Sequence, residues 1–260
     1  MTNAAQDYHG EMLKKTLDEA SYAKLMQLAN PKLHRFVADA IELFAPDRAI
    51  VCSDAPEDIA AIRQMAIDNK EEIPLATDGH TAHFDGYHDQ ARDKKATKYL
   101  VPKDMPFEKN LNQTEREQGL EEVRSLMKGA MAGKTMIVRF FCLGPVNSAF
   151  SIPCAQITDS SYVAHSEDLL YRPGYEEFRR IGDSEAFFRF MHSAGRLSES
   201  MTSIDVDKRR VYIDIDDEMV YSVNTQYAGN TVGLKKLALR LAIRKADREG
   251  WLAEHMFVMG

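Results

Sequence analysis

The sequence predicts a mixed α/β fold: a central mixed β-sheet covered by helices, with a β-hairpin embedded in it. Three observations carry this. Strand and helix signals are interspersed along all 260 residues without the strict alternation that an all-parallel sheet imposes. Residues 209–215 and 219–223 alternate apolar and polar positions on either side of Asp216-Asp217, the pattern of a hairpin. A short apolar run over 48–53 (RAIVCS) leads into a helical pattern carrying Ile59, Ile62 and Met65, which is a β-then-α step.

The remaining elements follow in order. The amino-terminal part reads as helices: Asn30-Pro31 is a start signal, and Leu33, Phe36, Val37, Ile41 and Phe44 then recur at helical spacing. Ser53 or Asp54 is expected to cap the helix after the first strand. Residues 73–106 are rich in Gly, Asp, His and Pro and predict irregular chain with one strand at 99–101. A charged helix over 114–127 leads into a strand over 135–143. Gly144-Pro145 marks a turn, and strands are expected over 151–157 and 162–164. Helices are predicted over 175–181 and 185–191. The last helix spans 232–248, ends at Gly250 and feeds an apolar strand over 255–259. A chain that stops on such a strand is expected to continue beyond residue 260.

Composition narrows the function classes. A formal charge of −7 lacks the basic balance of a nucleic-acid binder. No apolar run approaches the ~20 residues of a membrane span, and MTNAAQDYHGEMLKK has no apolar core of a secretory signal. Cys52, Cys142 and Cys154 are widely spaced, with no CxxC pair, and each sits in or beside an apolar run. They read as buried free thiols in a reducing cytoplasm.

Four motifs bear on chemistry. Gly129-Ala-Met-Ala-Gly133-Lys134-Thr135 looks like a phosphate-binding loop, but three residues separate its glycines where four are needed, and it follows a helix and precedes a strand. A helix end and turn is the expected structure. Asp78, His80, His83, Asp85, His88 and Asp89 are metal-ligating types, yet no spacing matches a structural zinc site, so a polar loop is expected. Lys235-Lys236 falls in the first turn of the predicted last helix, where the dipole disfavours cations; it therefore calls for an anion or another role. The turn Tyr227-Ala228-Gly229-Asn230 just before offers backbone N–H groups to an anion. His255 alone is a satisfied core histidine; beside these lysines it becomes a candidate metal ligand.

Together, YAGN, LKKLALR and EGWLAEHMFVMG closely resemble the stretch of GTP-type phosphoenolpyruvate carboxykinases that precedes their nucleotide-binding loop. FCLGPVNSAFSIPCAQITDSSYVAHS, FFRFMHSAGR, DKRRVYID and ARDKKATKYLVP match too, in the family's order. The resemblance runs from about Arg92 to the end, extends more loosely over the amino-terminal helices, and is greatest to the archaeal-like branch.

The resemblance implies that residues 1–260 are the amino-terminal, substrate-binding domain of such an enzyme, without its nucleotide-binding domain. It implies a gluconeogenic or anaplerotic carboxy-lyase: oxaloacetate loses carbon dioxide, and the resulting enolate takes the γ-phosphoryl of GTP to become phosphoenolpyruvate. It further implies one Mn2+ held by a lysine, His255 and an aspartate outside this chain. The lysine is Lys236 when counted from Tyr227, or Lys235 when the Ala-Leu-Arg of the helix is aligned, with Lys236 preferred. Arg92 matches the substrate-carboxylate arginine, Tyr227 presents its ring edge to that carboxylate, and the backbone of Ala228 and Gly229 lies against it. The family usually has Gly-Gly after this tyrosine; Ala228 departs from that. By this reading the 260 residues alone neither bind GTP nor turn over. Two rival readings stay open: a self-contained, non-catalytic anion- or metal-binding module, and a carboxykinase that uses pyrophosphate or ATP.

Overall fold

In the computed structural model, which describes residues 3–84, 95–105, 109–226, 228–250, 252–254 and 257–259, the chain opens with three helices. These are α1 (Asn3–Thr16), α2 (Glu19–Gln27) and α3 (Pro31–Phe44). The Asn30 side chain caps α3 by accepting the Leu33 N–H at 3.0 Å, and its amide donates to Gly182 O and Ser184 O, both at 2.8 Å. One residue thus starts a helix and ties it to a loop far along the chain.

Next come β1 (Arg48–Val51), α4 (Pro56–Asp68), β2 (Ile73–Pro74), β3 (Thr81–Ala82), β4 (Thr97–Val101) and β5 (Gln113–Glu115). They are followed by α5 (Arg116–Met127), β6 (Thr135–Leu143), β7 (Ile152–Thr158), α6 (Ser161–Leu170), β8 (Arg172–Pro173) and α7 (Tyr175–Ile181). The chain then forms β9 (Phe188–Ser193), β10 (Arg210–Asp214), β11 (Met219–Val223), α8 (Ala228–Arg248), β12 (Leu252–Glu254) and β13 (Phe257–Met259).

The main sheet has nine strands in the order β1-β6-β7-β9-β11-β10-β4-β5, with β8 added on β6. Pairing is mixed: β6–β7, β6–β8 and β10–β11 are antiparallel and the others parallel. The hairpin is the predicted one, with Tyr212 opposite Tyr221. Strand pleating divides the core. Even-numbered residues of β6, such as Val138 and Phe140, pack with α1, α2, α3, α5 and α7. Odd-numbered ones face the other way, Ile137 toward Ala164 of α6 and Phe141 into the cluster that holds Leu237 of α8. The result is three layers, helices on both faces of a mixed sheet.

Three local expectations are corrected. Residues 162–164 lie inside α6, not in a strand: Ser160 accepts the Val163 N–H, and the Glu71 carboxylate accepts Ser161 N–H at 3.1 Å and Tyr162 N–H at 3.0 Å. Those N–H groups are satisfied at a helix start, so no ladder needs them. Residues 185–191 are not a helix; 188–193 form β9, which lies between β7 and β11 and is buried on both faces. A doubly buried strand shows no alternation, and its apolar run mimics a helical period. Finally, neither Ser53 nor Asp54 caps α4, whose N-cap is Ala55 with Pro56 in the first turn. Ser53 donates to Asp58 instead, and Asp54 caps α7.

The false phosphate loop is a helix end and turn, as expected: α5 stops at Met127, Gly129 and Gly133 take φ of 69° and 79°, and β6 begins at Thr135. All three cysteines are buried and free. No helix among the described residues is long and apolar enough to cross a membrane.

Candidate functional site

The topology brings the entry to β4 and the exit from β11 to one end of the sheet. β4 and β10 run parallel, with Thr97 opposite Val211, and β11 returns antiparallel so that Val223 pairs with Arg210. The chain entering β4 and the chain leaving β11 therefore stand at the same end, roughly 10 Å apart across one intervening strand. Lys95 is three residues after Arg92, and Gln226 immediately precedes Tyr227. Arg92, Tyr227 and His255 themselves lie outside the described residues, as do Asp85, His88 and Asp89.

At the same end, β7 and β9 finish and β6 begins. Lys134 donates to the Asp159 carboxylate and to Gly195 O, both at 2.6 Å, and Asp159 also accepts Ser193 O–H and Ala194 N–H at 2.8 Å each. A cavity of about 620 Å³ opens here, lined by Lys134, Asp159, Ser160, Gly195, Arg196 and Met201 among others.

The segment leaving β11 is held from several sides. Asn224 adopts a left-handed φ of 57° and donates to Lys208 O at 3.1 Å. Gly195 packs against it so closely that a Cβ there would lie 2.0 Å from Asn224 Oδ1. Gln226 is buried and donates to Met201 O.

α8 begins earlier than the sequence suggests. Ala228, Gly229 and Asn230 form its first turn rather than a free turn ahead of it. Orphan N–H groups and the positive end of the helix dipole therefore stand directly after Tyr227, as at any helix start. Right-handed helical backbone accepts an alanine without strain, so the departure at Ala228 carries no conformational cost. The same shift moves Lys235 and Lys236 about two turns into the helix, out of the first turn. The lysines therefore do not sit against an adverse dipole, because that gradient fades within the first turn.

Burial replaces it. α8 crosses β10 and β11, and Leu237 is fully buried among Tyr99, Val211, Ile213 and Val220. The Arg240 guanidinium stands over the Tyr99 ring at 5.5 Å, and Arg244 pairs with Asp216 at 3.1 Å. Lys236, beside Leu237, is half-buried, and burial lowers its pKa from the usual lysine value. No ion pair or hydrogen bond joins it to another described residue. Lys235 lies in the helix next to it. Among the described residues no group of three or more His, Cys, Asp or Glu side chains is arranged to hold a metal. Asp78, His80 and His83 are therefore not such a group; His83 instead stacks on Tyr162 with ring centroids 3.5 Å apart.

A second polar group lies on the same sheet, at β6. Arg139 is buried on the α6 side of β6, donating to Ser53 O at 2.9 Å and pairing with Asp168. Glu167 is buried beside it; burial pushes its carboxyl well above the usual range, against the opposing pull of Arg139. The available signal was one arginine inside the otherwise apolar run TMIVRFFCL.

The family model for the phosphoenolpyruvate carboxykinase N-terminal domain matches residues 35–247. The phosphoenolpyruvate carboxykinases (GTP) of Thermococcus kodakarensis and Pyrococcus abyssi are each 56% identical over 251 residues, covering 96% of this chain and 40% of their own length. That of Saccharolobus solfataricus is 44% identical over 250 residues, covering 96% of this chain and 39% of its own. The chain thus spans about 40% of the length of these curated relatives.

Proposed function

This chain belongs to the phosphoenolpyruvate carboxykinase family, and we propose that it is the amino-terminal, substrate-binding portion of a GTP-dependent member working in the cytoplasm in gluconeogenesis or anaplerosis. The reaction is the loss of carbon dioxide from oxaloacetate and phosphorylation of the enolate by GTP to give phosphoenolpyruvate and GDP.

One observation carries the assignment of roles: Lys236 is a half-buried amine without a partner among the described residues, on the helix that starts directly after Tyr227. A lysine ligates metal only as the neutral amine, and burial already favours that form. This supports Lys236, the lysine preferred when counting from Tyr227, with His255 as second ligand and an aspartate outside the chain as third. A divalent cation such as Mn2+, if held by these residues, would supply electrophilic stabilisation of developing negative charge on the substrate. Arg92 grips the substrate carboxylate through its planar fork, Tyr227 turns its ring edge to it, and the backbone of Ala228 and Gly229 donates to it. The convergence of the chain after Arg92 and before Tyr227 on one sheet end supports a shared pocket.

GTP is bound outside these 260 residues on this reading, so the chain alone is inactive. Calorimetric titration of the chain with GTP is expected to give no binding heat. In the full-length enzyme with GTP and Mn2+, Arg92→Ala and His255→Ala are each expected to abolish most turnover. Parental activity in both variants would overturn the site assignment.

A further inference from the structure

We propose that His192 is a positioning residue: its imidazole fixes the carbonyl of Thr225 and so sets where α8 begins. The proposal rests on the functional reading above only for its kinetic consequence.

The ring is fully buried on β9, on the side of the sheet that α8 covers. Nδ1 lies 2.7 Å from Thr158 Oγ1 and Nε2 lies 2.7 Å from Thr225 O. A carbonyl only accepts, so Nε2 carries the proton donated to Thr225. Burial lowers the pKa of the ring, which keeps it neutral, and Nδ1 then accepts the Thr158 hydroxyl proton. Thr158 Oγ1 in turn accepts the Ser160 N–H at 3.1 Å, where Ser160 caps α6. A directed chain of hydrogen bonds thus runs from the start of α6 to the segment before α8.

The partner distinguishes this histidine from one that is merely satisfied in a core. Thr225 lies beyond the last β11 residue, Val223, so its backbone is outside the β9–β11 and β10–β11 ladders. Its hydroxyl meets Ser222 Oγ at 2.6 Å, and its neighbour Asn224 is held in left-handed backbone against Gly195. His192 and Gly195 both come from the end of β9 and both act on this short stretch. The direction in which the chain departs toward Tyr227 is decided there.

The test uses the side-chain amides as mimics of the two ring nitrogens. His192→Gln places an amide donor near the Nε2 position; His192→Asn reaches Thr158 but falls short of Thr225. Hydrogen exchange read by mass spectrometry on the 260-residue chain should show residues 223–232 exchanging at least about tenfold faster in His192→Asn. The β7 and β10 segments should keep parental rates, and His192→Gln should stay within about threefold of parent throughout. In the full-length enzyme, His192→Asn should lower kcat/KM for phosphoenolpyruvate by up to about 10²-fold, as a misplaced binding turn does, and His192→Gln should restore most of it. Should His192→Asn not fold, Thr158→Val removes the hydroxyl that orients the ring, and the same local acceleration is expected. Parental exchange over 223–232, equal acceleration across all segments, or indistinguishable Asn and Gln variants would each overturn the proposal. A full-length parent without carboxykinase turnover would instead defeat the functional reading, while the exchange data still judge His192.

Discussion

Asp54 caps a helix that begins at Tyr175. Its Oδ1 accepts the backbone N–H of Gly174 at 3.2 Å and of Tyr175 at 3.1 Å, and its Oδ2 accepts Glu176 at 3.0 Å. The loop after β1 and the start of α7 are thereby joined, and α7 can lay Phe178 against Phe140 with ring centroids 5.0 Å apart. Asp54→Ala should lower unfolding free energy by about 1–2 kcal/mol, the usual value of a helix cap. Urea denaturation measures it, and a loss below about 0.3 kcal/mol would show the cap to be incidental.

The cysteines should be inert while the chain is folded. Burial pushes the Cys52 thiol up to about 11, the nearby Arg139 only partly opposing it, and raises Cys154 well above its ordinary value. Since the thiolate is the reactive form, a colorimetric thiol reagent at neutral pH should label none of the three in native protein and all of them in denaturant. Rapid labelling of one thiol in the folded state would contradict the placement of that residue.

Glu122 gives the chain an acid-sensitive tie between α5 and β10. Burial alone raises its pKa, but hydrogen bonds from Tyr212 and from Arg210, the latter at 2.8 Å, more than offset this and hold the carboxyl below the usual glutamate range. A depressed folded-state pKa contributes stability above the unfolded value, and that contribution is lost as pH falls through the folded one. Melting temperature should therefore fall more steeply in the parent than in Glu122→Gln between about pH 5 and about pH 3. Parallel pH profiles would refute the tie.

The two adjacent lysines should separate on metal titration. Followed by electron paramagnetic resonance in the full-length enzyme, Lys236→Ala should weaken Mn2+ binding by at least about tenfold, whereas Lys235→Ala should change it by less than about threefold. The reverse order would assign the ligand to Lys235.

The sequence and the structure agree where one local rule dominates. The capping asparagine and following proline predict α3, the alternation about Asp216-Asp217 predicts the β10–β11 hairpin, and the unbroken apolar run predicts β6. They part where the deciding partner is remote. The helix at Ser161 depends on Glu71, far back in the chain, and the strand character of β9 depends on neighbours on both sides. Neither is visible in a window of a dozen residues, and in both cases a short apolar run fits either period.

By itself the sequence determined the mixed α/β class, the hairpin, the buried thiols and, through YAGN and LKKLALR, the family resemblance. Only the tertiary structure decided that the entry to β4 and the exit from β11 share one end of the sheet. It also decided that Asp54 serves α7, and that His192 holds the chain before α8. The physical reason is range. Propensity and periodicity act over a few residues, whereas strand order and the pairing of buried polar groups are settled by which distant segments the core brings into contact.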